Sequence, residues 1–111
     1  MSRELRITPT FFHLLLCLAE EPKHGYGMMQ EIEQQTEGAL RLGPSSLYYS
    51  LSRLEEAGLI RETEVAEASE EVHGERRRYY ALTRAGRRRL ESEVTVLKHV
   101  LAHARARYIT G

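Results

Sequence analysis

The residues best equipped for chemistry in this chain of 111 residues lie in GPSSLYYSLSRLEEAGLI, from Gly43 to Ile60. On a wheel of 100° per residue, Leu47, Leu51 and Leu54 fall within about 60° of one another and form the apolar side of a helix. Ser45, Tyr49 and Ser52 lie opposite, with Arg53 beside them and Tyr48 at the margin. Serine and tyrosine are modest helix formers, so a merely solvated face would more naturally carry Glu, Lys, Gln or Ala. Short side chains near a helix N-terminus let the backbone approach a polyanion, while hydroxyls, tyrosine and arginine meet phosphates and base edges. The free amides and positive dipole end at Ser45 and Ser46 attract a phosphate oxygen. Glu55 and Glu56 are held at the far end. A helix that enters the DNA major groove has these properties; an ordinary amphipathic helix with a polar face is the alternative.

The surrounding sequence supplies the elements that would position this helix. Pro9 and the run TFFHLLLCLAEE predict a first helix over roughly 9–20. In HGYGMMQEIEQQTEG, Tyr26, Met29 and Ile32 recur three apart, Thr36 continues the face and Gly38 can cap the end, giving a second helix over roughly 25–37. Gly43 and Pro44 open the third, roughly 44–57, which ends at Gly58. LIRETEV then alternates with the period of a strand, and RRRYYALT alternates again from about 76 to 82, so a hairpin is expected with AEASEEVHGE as its loop. Thr83 caps a last helix on which Leu90, Val94, Leu97, Leu101, Ala104 and Tyr108 are spaced 4, 3, 4, 3, 4, the seam of a coiled coil. The fold class expected is mainly α with a small β-hairpin. Residues 1–83 would be a winged helix-turn-helix DNA-binding domain and 84–111 a C-terminal dimerisation helix.

Three linked segments, HGYGMMQEIEQQT from His24, GPSSLYYSLSRLEEAGLI from Gly43 and RRRYYALTRAGRRRL from Arg76, resemble the PadR family of bacterial transcriptional regulators. The short C-terminal part resembles the compact subgroup, in which one terminal helix makes the dimer. The resemblance implies a homodimer that binds a pseudo-palindromic double-stranded DNA operator, usually as a repressor released by a small aromatic or lipophilic effector. It places Ser45, Ser46, Tyr48, Tyr49, Ser52 and Arg53 on or beside the recognition helix, Tyr26 on the helix before it, and Arg76 to Arg78 on the wing strand; strand alternation sets Arg76 and Arg78 on one side with Tyr80 and favours these two for backbone contacts, a solvated face being the alternative for the arginine cluster. The sequence departs from the family at Tyr49, where a proline is usual, and in its acidic wing loop; Glu67, Glu70 and Glu71 would repel DNA if they faced it, so the tip is expected to project away from DNA or to meet a partner. A last helix of about 25 residues is roughly 37 Å long, and its apolar stripe has no other partner in so small a domain. Two-fold symmetry would set two recognition helices about 34 Å apart, one turn of DNA. An effector pocket is expected between the first and last helices of the two protomers, with Phe11, Phe12, Leu15 and Leu97 as its lining.

Composition narrows the remaining classes. A chain that is 41% apolar and 29% charged suits a single globular domain. The longest apolar run, FFHLLLCLA, falls short of the roughly 18–20 residues that span a bilayer, and MSRELRITPT lacks the pattern of a secretory signal; a cytoplasmic protein without membrane contact is expected. The formal net charge of zero conceals a gradient, from −2 over residues 1–61 and −6 over 62–75 to +8 over 76–111. Cys17 is the single cysteine, which excludes an internal disulfide and reads as a buried hydrophobe. His99 and His103 share a helix face but have no carboxylate or cysteine one turn away, so no metal and no cofactor is expected. With no nucleophile elbow and no phosphate-binding glycine loop, an enzyme is not expected. Neutral overall charge and the acidic loop leave one alternative of another class, a winged-helix protein-interaction module without DNA binding.

Overall fold

The computed structural model describes residues 4–64 and 78–108. The elements run α1 (Pro9–Cys17), β1 (Lys23–His24), α2 (Gly25–Gln35), α3 (Pro44–Glu56), β2 (Ile60–Thr63), β3 (Tyr79–Leu82) and α4 (Arg84–Arg107). The expected wing is present as β2 paired antiparallel with β3, with Ile60 opposite Leu82 and Thr63 opposite Tyr79. A third strand was not foreseen. Lys23 and His24 pair with Tyr80 and Tyr79, so β3 is the centre of a three-stranded sheet in the order β1-β3-β2. Two residues after Pro22 are too short a run to show a period of two.

Each helix starts and stops where its local chemistry dictates. The Phe11 amide donates to the Thr8 hydroxyl at 3.2 Å, which caps α1. His24 does the same for α2 through its Nδ1, which accepts from the Gly27 amide at 3.0 Å. α3 ends in a Schellman turn: Leu59 N–H donates to the Leu54 carbonyl, Gly58 N–H donates to that of Glu55, and Gly58 takes φ +76. Leu54 and the Leu59 that closes this turn are both buried.

Leu14, Leu15, Met28, Ile32, Leu47, Leu51, Leu54 and Ile60 are fully buried and join α1, α2, α3 and the sheet into one core. Burying each such side chain contributes about 1.5–3 kcal/mol. The buried face of α2 differs from the one the spacing suggested. Gly25, Met28 and Ile32 point inward, whereas Tyr26 is 54% exposed, because the residues packed against α1 and α3 follow a 3, 4 spacing instead of a uniform three.

α4 is joined to the rest at its first turns. Thr83 N–H donates to the Leu59 carbonyl, and the Thr83 hydroxyl donates to that of Gly58 at 2.6 Å while accepting from the Gly86 amide at 3.0 Å. α1 and β3 pack on this end of the helix. Its 24 residues span about 36 Å, and the chain measures 54 × 38 × 24 Å.

Candidate nucleic-acid interface

The polar side of α3 stands in solvent. Leu47, Leu51 and Leu54 are buried together with Ser50, and Ser45, Ser46, Tyr48, Tyr49, Ser52 and Arg53 are all exposed. The separation anticipated from the wheel is therefore physical: one face is fixed to the core and six candidate contact residues share the other. Gly43 precedes the helix with extended backbone and gives no side-chain cap, so the first amides of α3 keep their donors open at the end that carries Ser45 and Ser46.

Tyr48 borders α2. A Cβ added to Gly25 would lie 3.1 Å from the Tyr48 hydroxyl oxygen and 3.0 Å from Leu47 Cδ2, so the absence of a side chain at Gly25 permits the two helices to approach. Tyr26 lies one residue further along α2 and is exposed. On α3 itself, Arg53 Nη1 donates to the Tyr49 hydroxyl at 3.2 Å, and its Nε lies 3.6 Å from Glu56 Oε1.

Of the wing arginines, Arg76 and Arg77 lie outside the described residues, as does the acidic loop with Glu67, Glu70 and Glu71. Arg78 is exposed and its Nε sits 3.3 Å from Glu62 Oε2 on the adjacent strand. Tyr80, on the same side of β3, is buried; burial pushes its phenol pKa up, and a hydrogen bond with Arg78 opposes the shift.

The second arginine cluster performs work that spacing did not reveal. Arg87 donates to the Ala19 carbonyl at 2.9 Å, closing the end of α1. Arg89 donates to the Leu5 carbonyl at 2.8 Å and pairs with Glu93 and Glu4, which ties the N-terminal segment to α4. Their partners are 68 and 84 residues away, so no local pattern marks them.

The expected seam of α4 is divided. Leu90 is 5% exposed within the chain's own core and Val94 packs against that core, so these two are used internally, because α1 and the sheet cover the start of the helix. Leu97, Leu101 and Tyr108 are exposed, and Val96 and Val100 add to the same open stretch. The proposed effector lining is divided as well: Phe11 and Leu15 belong to the core, Phe12 is half-buried and Leu97 is exposed. Beside Phe12, the Nδ1 of His13 is buried with no hydrogen-bond partner among the described residues.

Cys17 is buried, and burial pushes its thiol up to about 12, with the Glu31 carboxylate adding to the shift. Glu31 accepts from Lys23 Nζ; burial lowers the Lys23 pKa, but this partner outweighs the effect and holds it above the usual range. Among the described residues no three His, Cys, Asp or Glu gather as metal ligands, and no helix is long and apolar enough to cross a membrane.

Residues 14–92 match the family described as transcriptional regulator PadR-like. Over 81 residues the chain is 44% identical to an uncharacterised 37.1 kDa protein in transposon Tn4556 of Streptomyces fradiae, covering 72% of this chain and 21% of that protein. The chain thus spans about a fifth of that relative. Among solved structures, a PadR family transcription regulator from Clostridium difficile R20291 superposes with a TM-score of 0.68 at 22% identity, covering 86% of this chain and 93% of the other. A PadR-like transcriptional regulator from Bacillus cereus gives 0.70 at 22% identity, with 86% of each chain covered.

Proposed function

Since the chain belongs to the PadR-like family of transcriptional regulators, we propose that it is a dimeric operator-binding protein that inserts α3 into the major groove. The observation that carries this reading is the exposed face of α3, where Ser45, Ser46, Tyr48, Tyr49, Ser52 and Arg53 stand clear of a core that holds the opposite face. Tyr26 extends the surface from α2, and Arg76 and Arg78 contact the backbone from the wing. Before it meets a phosphate, Arg78 must exchange its pairing with Glu62. The working division is a DNA-binding unit over residues 1–83 and a dimerisation helix over 84–111, in a cytoplasmic protein.

The partner in the dimer is a second copy that covers Leu97, Leu101, Ala104 and Tyr108, together with Val96 and Val100. Exposed apolar residues recurring along a helix that extends beyond the core support this. Repression relieved by a small aromatic or lipophilic effector follows the family resemblance. The effector would sit between the first and last helices of the two protomers, touching Phe12 and Leu97 directly, with Phe11 and Leu15 shaping the site from behind.

The test is duplex binding as salt rises. An operator-binding protein loses affinity steeply and linearly on a logarithmic scale, because each phosphate contact releases counterions. A protein-interaction module is the second reading, supported by zero net charge and by the Arg78–Glu62 pair that already neutralises one wing arginine. Absence of duplex affinity at low salt decides for it.

A further inference from the structure

Arg53 is held from both sides along α3. Tyr49, one turn before it, accepts a hydrogen bond from Nη1 at 3.2 Å, and Glu56, three residues after it, faces Nε at 3.6 Å. Tyr49 is 61% exposed, and the hydrogen bond sets its hydroxyl beside the guanidinium. A free arginine on a groove helix swings to the nearest phosphate, where the negative potential is greatest. Here the neighbouring carboxylate lies close enough to Nε to offset part of the charge, which weakens the pull of a phosphate, and N–H groups on both terminal nitrogens have no partner among the described residues.

That free end is a planar pair of donors on the exposed face of α3. The Tyr49 hydroxyl accepts from it at Nη1. The guanidinium offers donors only, and the base edge that offers two adjacent acceptors in the major groove is that of guanine, through O6 and N7. We infer that Arg53 reads one guanine in each half-site through a bidentate contact, and that Tyr49 is the positioning residue that holds the guanidinium for it. This rests on the reading of α3 as the groove helix and specifies what that helix recognises.

The experiment is selection of sites from a randomised duplex pool by the full chain, for the native protein and for Arg53→Ala, Tyr49→Phe and Glu56→Gln, with thermal unfolding recorded for each. The native protein is expected to enrich a half-site with one dominant guanine. Arg53→Ala loses preference at that base alone, by about 5- to 140-fold, the range that a bidentate contact supplies. Tyr49→Phe, which keeps the ring and removes the hydroxyl, loses part of the same preference, and Glu56→Gln shifts the arginine toward phosphate and steepens the salt dependence. If Arg53→Ala weakens all sequences equally and flattens the salt dependence, Arg53 is a phosphate contact and the inference falls. Unchanged preference in Tyr49→Phe removes the positioning role. If the native protein enriches no site, the groove reading itself fails, an outcome distinct from selection of a site whose preferences survive in every variant.

Discussion

Gly86 lies directly against the carbonyl of Leu59: a Cβ at this position would stand 1.9 Å from the oxygen and 2.9 Å from the carbon. The first turn of α4 thus rests on the backbone that leaves α3 and enters the wing, and Thr83 locks the same junction through hydrogen bonds to the Leu59 and Gly58 carbonyls. A helix interior normally gains about 1 kcal/mol from Gly→Ala. Here backbone must move, so Gly86→Ala is expected to lower unfolding stability by about 1–3 kcal/mol in urea titration. Gly43→Ala, where nothing lies within 4 Å of the added methyl, is the steric control. Equal stability of the Gly86→Ala and native proteins would show that the junction can open without loss.

This junction also marks where sequence reasoning stops. Helices α1 and α3 were legible because their leucines recur with helical period and their caps are local, whereas for α2 the period gave the helix but set its buried face on Tyr26 and Met29 instead of Gly25 and Met28. The wing was legible because LIRETEV and RRRYYALT alternate. Gly86 and Arg89 carry no such mark: one is defined by a carbonyl 27 positions earlier and the other by a carbonyl 84 positions earlier. The candidate interface was readable in advance as a face, since the wheel separates Leu47, Leu51 and Leu54 from Ser45, Tyr49 and Ser52. The coupling of Tyr49 to Arg53 and the pairing of Arg78 with Glu62 depend on rotamers and strand register, and became visible only in three dimensions.

The start of α3 offers a test that separates stability from binding. Gly43 leaves the helix without a side-chain cap. Gly43→Asp supplies a carboxylate that accepts from the first free amides and opposes the positive dipole end, and should stabilise the fold by a few tenths of a kcal/mol to about 1. The same charge stands where a phosphate is proposed to dock, so duplex affinity should fall while the melting temperature rises. A variant that becomes more stable and binds DNA as tightly as before would remove the α3 N-terminus from the interface.

Leu97 and Leu101 are about half exposed on the open stretch of α4, at 48% and 47%. Leu97→Glu combined with Leu101→Glu places two carboxylates in the proposed seam and should yield monomers in sedimentation, with the circular dichroism of the core unchanged. Leu90→Glu should instead unfold the chain, because Leu90 is 5% exposed inside the protomer's own core. Persistence of a dimer in the double variant would move the interface elsewhere.

Among the described residues, Cys17 carries the clearest pH signature. Burial first, and the Glu31 carboxylate second, raise its thiol from 9.0 to about 12. The folded protein therefore keeps the proton over a range in which the unfolded chain loses it. The sign follows directly: the contribution is complete below pH 9, and stability falls as pH rises from 9 toward 12, because only the unfolded state gains by ionising. Lys23 acts in the same direction at the upper end of this range, since its folded pKa is also raised and its pairing with Glu31 is lost as the ammonium deprotonates. Cys17→Ala should be less stable at neutral pH for lack of packing, yet show a shallower alkaline decline in chemical denaturation. In the native protein at pH 8, the shift alone reduces the thiolate fraction about a thousandfold, so Cys17 should resist alkylation until the chain unfolds. Rapid labelling under native conditions would mean that α1 and α2 separate far more readily than their packing implies.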